Sequence, residues 1–303
     1  MGDLTSNKIV PPQTPSIQSA RDTRRYLPLL KRLPGVTARQ LSMLFLMLVI
    51  LYPLFFIFNN ALKTRDEYLG NQMALPVHPT LQNFLNIIQY PHLLEWVANS
   101  LILTFVSVGL CTLISIFAAN AFAYMQFPGR DVLFNLITPL MVIPPIVMII
   151  PMFVLYQKVG LINNLAGPII IYTGLMLPFT IYLLRNFFIT IPKEIQEAAL
   201  MDGCTSFQLL TKINLPLSRP ALVTSIIVNA VWVWNELLIA LVFLQSEDLR
   251  TLIVGIAASL QKRFSLDVPS LMAGLAVTTI PMILLYVFGQ RALVRGLVSG
   301  FEK

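Results

Sequence analysis

Charge is what this sequence has least of. Asp, Glu, Lys and Arg make up 12% of its 303 residues, about half the ~25% typical of soluble domains. A chain of this length with so little charge cannot cover a water-facing surface, which excludes an ordinary soluble enzyme and leaves lipid as the alternative solvent. Histidine is also scarce: His78 and His92 fall in one loop with no ligand set beside them, so no metal site is expected. The two cysteines give little, because Cys111 lies in an apolar run and Cys204 in a polar loop. They are not expected to share a compartment or a disulfide, and they read as small buried hydrophobes. The phosphate-cradling pattern G-x-x-x-x-G-K-[ST] is missing, and no nucleophile–base pair stands out. The chain is therefore not expected to be an enzyme, and it binds no cofactor on this reading. Despite a net charge of +7, it shows neither zinc-finger spacing nor a basic helix, and no nucleic acid is expected as a partner.

A cleaved signal peptide is not expected either, because residues 1–40 are polar, basic and proline-containing where such a signal needs an apolar core. The run Val10-Pro11-Pro12-Gln13-Thr14-Pro15 resembles a Pro-rich ligand only loosely, and 1–40 reads as a disordered cytoplasmic tail. What the sequence has instead is apolar residues, 56% of the chain. They collect in six runs, at 41–58, 100–124, 133–157, 166–184, 221–244 and 271–289. A bilayer core about 30 Å thick takes roughly 20 helical residues. Lipid offers no partner for exposed backbone N–H and C=O groups, so each run is expected to be a helix. The expected fold is all-α, a multi-pass membrane domain over 41–303 with six transmembrane helices. Lys and Arg divide fifteen to six between the two sides if the N-terminus is cytoplasmic, which puts both termini in the cytoplasm. The loop 59–99 then faces outward, with Tyr90 and Trp96 expected at the lipid–water interface, and the loop 185–220 faces the cytoplasm.

Two features inside the spans carry possible chemistry. The third run holds Pro139, Pro144, Pro145 and Pro151. Each proline removes a backbone donor and crowds the preceding turn, so this helix must be kinked or locally unwound. It either lines or gates a pathway or simply bends to pack. Glu236 is the one Asp, Glu, Lys or Arg residue within the six runs. A carboxylate in lipid is costly, so it faces protein or water. With Asn229 and Asn235 it could bond solute hydroxyls, while Trp232 or Trp234 stacks on a sugar face. Alternatively it makes an interhelical hydrogen bond that fixes packing.

The loop between the fourth and fifth runs is the most informative stretch. Thr190 is placed to cap a helix from about Ile191 to Asp202, and Gly203 suits a left-handed stop after it. Thr205-Ser206-Phe207-Gln208 is a capping box that starts a second short helix, ending near Leu215-Pro216. Ala198 and Ala199 permit close approach by another backbone. Leu209, Leu210, Ile213 and Leu215 can anchor the second helix while Glu194, Glu197 and Asp202 stay wet. The result is a rigid elbow able to pass motion from a soluble partner to the spans.

In this loop Glu197-Ala198-Ala199, then Gly203, then Ile213-Asn214-Leu215-Pro216 resembles, at matching spacing, the EAA loop of the permease subunits of binding-protein-dependent ABC importers. The resemblance extends over most of the chain. Asn99-Ser100-Leu101 opens the second span, Phe127-Pro128-Gly129-Arg130 turns toward the third, and Trp234-Asn235-Glu236 with Ala240-Leu241 is similar to the carbohydrate, maltose-type branch, as are Gln290-Arg291, Gly296-Leu297 and Gly300. The ending Ser299-Gly300-Phe301-Glu302-Lys303 departs from the glycine-ended tail frequent in that branch.

What the resemblance implies is a multi-pass inner-membrane permease that moves a sugar or related small polar solute by alternating access. It implies a second permease subunit, two cytoplasmic ATP-binding subunits that use ATP and Mg and seat the 190–216 loop, and an extracellular or periplasmic solute-binding protein. Its coupling residues would be Glu197, Ala198, Ala199, Asp202, Gly203, Ile213, Leu215 and Pro216. The alternatives are an ABC permease for a non-sugar solute or an ion-coupled secondary transporter, which would want more charged relays than Glu236 alone.

Overall fold

The structure, a computed structural model, describes residues 19–260 and 267–301, with side chains over 39–258 and 267–290. The Pro-rich stretch 10–15 and the side chains of the C-terminal tail lie outside these residues. No strand occurs among the described residues. The chain forms two units, residues 1–56 and 57–303.

The helix α1 (Ser19–Ala61), most of it in the first unit, carries the first apolar run and extends back to Ser19, through the second half of the stretch for which disorder is the expectation. Extending a helix from a formed span adds a hydrogen bond per residue without a new nucleation cost. Among the described residues four helices are long and apolar enough to cross a membrane: Arg39–Ala61, Leu93–Tyr124, Ala166–Phe188 and Val268–Gln290. Two bent pairs raise the number to six if each is one span.

The second unit begins with two short helices, α2 (Arg65–Gly70) and α3 (Gln82–Ile88), which lead into α4 (Leu93–Tyr124). The sequence starts this span at residue 100, seven residues late, because Glu95 interrupts the apolar run. In the structure Glu95 is exposed and accepts a 2.7 Å bond from His92 Nδ1, so the helix carries a charge without burying it. The same hydrogen bond raises the His92 pKa. The 32 residues of α4 span about 48 Å at ~1.5 Å per residue, so its ends project beyond a hydrocarbon core.

After α4 come α5 (Arg130–Ile137), a 3₁₀ turn (Thr138–Val142) and α6 (Pro145–Lys158), then α7 (Ala166–Phe188). The elbow consists of α8 (Lys193–Met201), α9 (Ser206–Leu209), a π-helical turn (Leu210–Asn214) and α10 (Leu215–Leu217). It is followed by α11 (Arg219–Asn235), α12 (Leu238–Phe243), α13 (Leu252–Val254) with its π-helical continuation Gly255–Leu260, and α14 (Val268–Phe301).

The core is stacked in three layers along the bundle. Leu103, Cys111, Tyr172, Met176, Val233 and Phe243 build the middle layer from α4, α7, α11 and α12. At the elbow end Ala119, Leu184, Phe188, Leu210 and Ala221 close the bundle. At the other end Ile87, Trp96, Trp234, Leu252, Ile256 and Ala273 do so.

Trp96 corrects an expectation. It is fully buried and donates from Nε1 to the Glu247 carbonyl at 2.7 Å, so protein and not the lipid interface receives its indole. Tyr90, half-buried, packs against it at a 33° tilt with centroids 4.9 Å apart and donates to Glu247 Oε1. The neighbouring Asn99 donates to the carbonyls of Asp248 and Arg250, and Ser100 Oγ accepts from Leu252 N–H. These bonds fasten the start of α4 to the 247–252 turn. In the 59–91 loop, Lys63 Nζ is buried and donates to the carbonyls of Asn71 and Gln72 at 3.0 Å each. Burial lowers its pKa against the opposing pull of Glu67.

Gly255 permits the Trp96 packing, since a Cβ there would lie 2.2 Å from indole Cδ2. Gly255→Ala is expected to cost about 1–3 kcal/mol through overpacking. A melting curve of the detergent-solubilised variant checks this, and an unchanged Tm would show that the indole has room to move.

Candidate functional site

The elbow is built from local chemistry. Lys193 opens α8 after Pro192, whose N-cap conformation (φ −55°, ψ 133°) suits the missing N–H of proline. Thr190 does not cap this helix. Its hydroxyl donates to the Phe187 carbonyl at 2.7 Å and so closes the end of α7 instead, because proline at 192 delays helix entry by two residues. α8 ends in a Schellman motif: Cys204 N–H bonds the Ala199 carbonyl and Gly203 N–H the Leu200 carbonyl, each at 3.0 Å, with Gly203 at φ +82°. α9 starts at once with its capping box, Gln208 N–H on Thr205 Oγ1 and Thr205 N–H on Gln208 Oε1. Two strong stop–start signals thus hold the turn.

The elbow's two faces differ. Gln196, Ala199, Leu209, Leu210 and Asn214 are buried, and Ile213 and Leu215 half-buried, in or beside the apolar layer at the ends of α4 and α7. Glu194, Glu197, Ala198, Asp202, Gly203 and Pro216 are exposed. Apolar side chains share that outer face, including Met201 at 87% and Phe207 at 63% exposure. Lone exposed apolar residues are ordinary, and here several stand together on one turn.

The third span is broken more sharply than a kink: its halves meet at 102°. Ile143 (ψ 117°) and Pro144 (ψ 129°) are extended because a residue before proline is driven out of the α region, and the double proline applies this twice. Pro139 enters the 3₁₀ turn, Pro145 starts α6 at a position that needs no N–H, and Pro151 lies inside α6.

The fifth run is also discontinuous. The sequence treats 221–244 as one helix, but α11 stops at Asn235, Glu236 is extended (ψ 121°), and α12 restarts at Leu238. The Glu236 carboxylate accepts from Ile239 N–H at 2.9 Å and Ala240 N–H at 3.1 Å, satisfying the open amides of α12. It also accepts from Tyr172 O–H of α7 at 2.7 Å. Trp232 packs edge-on against the same Tyr172 ring, centroids 5.7 Å apart.

The other residues singled out around this break go elsewhere. Trp234 is buried and donates to the Thr278 carbonyl of α14. Asn229 is buried and donates to Thr180 Oγ1 of α7 at 2.8 Å. Asn235 is exposed and bonds its own helix at the Val231 carbonyl. The five residues therefore do not converge on one cavity. Glu236 and Trp232 meet at Tyr172, a residue the sequence did not flag because its partner is 64 positions away. A tyrosine in an apolar run opposite a lone acidic residue was the available signal. Among the described residues no three His, Cys, Asp or Glu side chains gather as a metal site would require.

The family of binding-protein-dependent transport system inner membrane components matches residues 111–299. A putative ABC transporter permease of Caldicellulosiruptor sp. strain Rt8B.4 is 38% identical over 83% of this chain and 91% of its own length. The arabinooligosaccharides transport system permease AraQ of Halalkalibacterium halodurans is 31% identical over 86% of this chain and 93% of its own. Among solved structures, a chain of a bacterial ABC transporter involved in import of the acidic polysaccharide alginate superposes with a TM-score of 0.73 at 26% identity, covering 86% of this chain and 96% of that one.

Proposed function

Because the chain belongs to the family of binding-protein-dependent transport system inner membrane components, we propose that it carries a saccharide or similar small polar solute across the inner membrane by alternating access, driven through the 190–216 elbow. In this reading both termini and the elbow face the cytoplasm, where two ATP-binding subunits hydrolyse ATP with Mg and grip the turn. A second permease subunit completes the channel, and a solute-binding protein delivers cargo on the opposite face. The saccharide assignment is supported by relatives such as the arabinooligosaccharide permease and the alginate importer.

The observation that carries the proposal is the elbow's geometry. A turn fixed by a Schellman motif and a capping box presents Ala198, Met201 and Phe207 outward while its other face is seated on the ends of α4 and α7. Such a body moves as a unit when gripped. The Asn235–Leu238 break and the 102° break at Pro144 supply the spans with places to reorient. Glu236, held by three donors, serves this reading as a support for the broken helix, with Trp232 and Tyr172 beside it as the candidate lining of the pathway.

The test is reconstitution of the complete assembly in proteoliposomes with its binding protein. Oligosaccharides are expected to stimulate ATP turnover and to accumulate inside only when ATP is supplied. Uptake that persists without ATP and collapses with the proton gradient would replace this reading with an ion-coupled carrier.

A further inference from the structure

The elbow's inner face holds a polar tie whose chemistry the apolar packing beside it does not require. In the elbow's second limb the chain leaves the α register and winds as a π-helical turn over Leu210–Asn214. Such turns in short helices are uncommon and cluster at functional sites. This one places Asn214 at 0% exposure, where its Nδ2 donates to Asn120 Oδ1 of α4 at 3.3 Å, 94 positions earlier in the chain. Apolar Ala119, Leu184, Phe188, Leu210 and Ala221 surround it, together with the buried polar side chains of Gln196 and Ser218 and the half-buried Tyr124. A leucine pair could fill such a layer with no polar atom to satisfy.

The second observation is that the tie is incompletely satisfied. Asn214 Oδ1 is buried without a hydrogen-bond partner, and so is the hydroxyl of Ser218. One is an acceptor, the other a donor, and they lie four residues apart. Asn214 lies within segment 206–217, and Ser218 is the residue that joins this segment to α11, where the two meet at a 76° bend. Buried polar atoms left unpaired are rare and call for an explanation. A carbonyl oxygen just before a bend and a hydroxyl at it would find partners if the bend changed angle.

The geometry points to Asn214 as a positioning residue that transmits displacement of the elbow to α4 through Asn120. This rests on the elbow being the driven element of an importer. α4 packs along α7 and carries residues of all three core layers. A pull at Asn120, one turn from its elbow end, therefore reaches the middle of the bundle, where α4 backs Tyr172 and the Glu236 break. An apolar contact could slide when the bend opens. A hydrogen bond keeps register, because one already 3.3 Å long is lost when its atoms separate by a few tenths of an ångström.

The test uses the complete reconstituted assembly with Asn214→Leu, Asn120→Leu and the double variant, and reads solute taken up per ATP hydrolysed. Each single variant is expected to lower that ratio about tenfold, within the usual range for coupling between sites, and the double variant to be no worse than either single. A purely structural role would reduce the yield of complex and leave the ratio intact, which overturns the proposal. So would two single effects that multiply in the double variant. If Asn214→Leu does not fold, Asn120→Leu, which leaves the elbow's sequence untouched, carries the test. If neither folds, the pair is structural and the proposal falls. A Gly203→Val assembly run alongside separates the two readings. Loss of coupling there with a normal ratio in the asparagine variants refutes only this inference, whereas normal coupling in Gly203→Val refutes the driven elbow itself.

Discussion

Gly203→Val is expected to remove most coupled solute uptake, by about tenfold or more per ATP hydrolysed, while Gly203→Asn retains it. The difference isolates the cause. A Cβ at position 203 would meet nothing within 4 Å, so a side chain has room. What valine cannot adopt is the φ of +82°. Left-handed backbone costs a β-branched residue about 1–3 kcal/mol, enough to favour another turn. Asparagine visits this region far more readily. If the turn changes, the Cys204–Ala199 and Gly203–Leu200 bonds are lost and α8 no longer meets α9 at its fixed angle. The outer face with Met201 and Phe207 then stops being one surface. Uptake and ATP hydrolysis by reconstituted variants check this, and full coupled uptake by Gly203→Val would remove the elbow from the mechanism.

The second large effect is expected at Glu236. Glu236→Ala strands three donors together: Tyr172 O–H and the N–H groups of Ile239 and Ala240. Each donor left unsatisfied in a buried setting costs about 1–3 kcal/mol. The variant is therefore expected to lose on the order of 3–5 kcal/mol, allowing for partial relaxation, and to show a sharply lower Tm in detergent. Tyr172→Phe removes one of the three bonds and is expected to cost about 1 kcal/mol. Its effect should vanish in the Glu236→Ala background, because the partner is gone. Glu236→Gln decides what the carboxylate is for. Its amide oxygen can still accept from the start of α12, so stability is expected to be mostly kept. If uptake is kept as well, Glu236 supports the broken helix. If uptake fails at near-native Tm, the carboxylate contacts solute.

Much of this arrangement is legible in the chain. Scarce charge and runs of about 20 apolar residues force helices in lipid for reasons that involve no tertiary contact. The elbow is legible for a similar reason: glycine at the stop, a Thr–Gln capping box at the restart and prolines at helix entry each act within four residues. Even there Thr190 shows the margin, because Pro192 shifted helix entry and left its hydroxyl to finish α7. Hydropathy alone makes each of the runs 133–157 and 221–244 one span, because it is blind to breaks. Two consecutive prolines signal the first break, but its 102° angle needed coordinates. The second break has no proline, and only the capping of α12 by Glu236 explains why the chain can stop and restart there.

The sequence by itself determined that this protein spans a membrane, where its six apolar runs lie, and that a glycine-hinged elbow joins the fourth to the fifth. Those features follow from solvent preference and from bonds between near neighbours. Only the tertiary structure decided that Trp96 is sealed under Glu247, that Tyr172 holds Glu236, that Trp234 turns toward α14, and that Asn214 meets Asn120. The spanning helices are apolar over most of their surface, so the pattern along the chain does not tell which face meets which neighbour. That choice is made when side chains distant in sequence pack and satisfy each other's polar atoms.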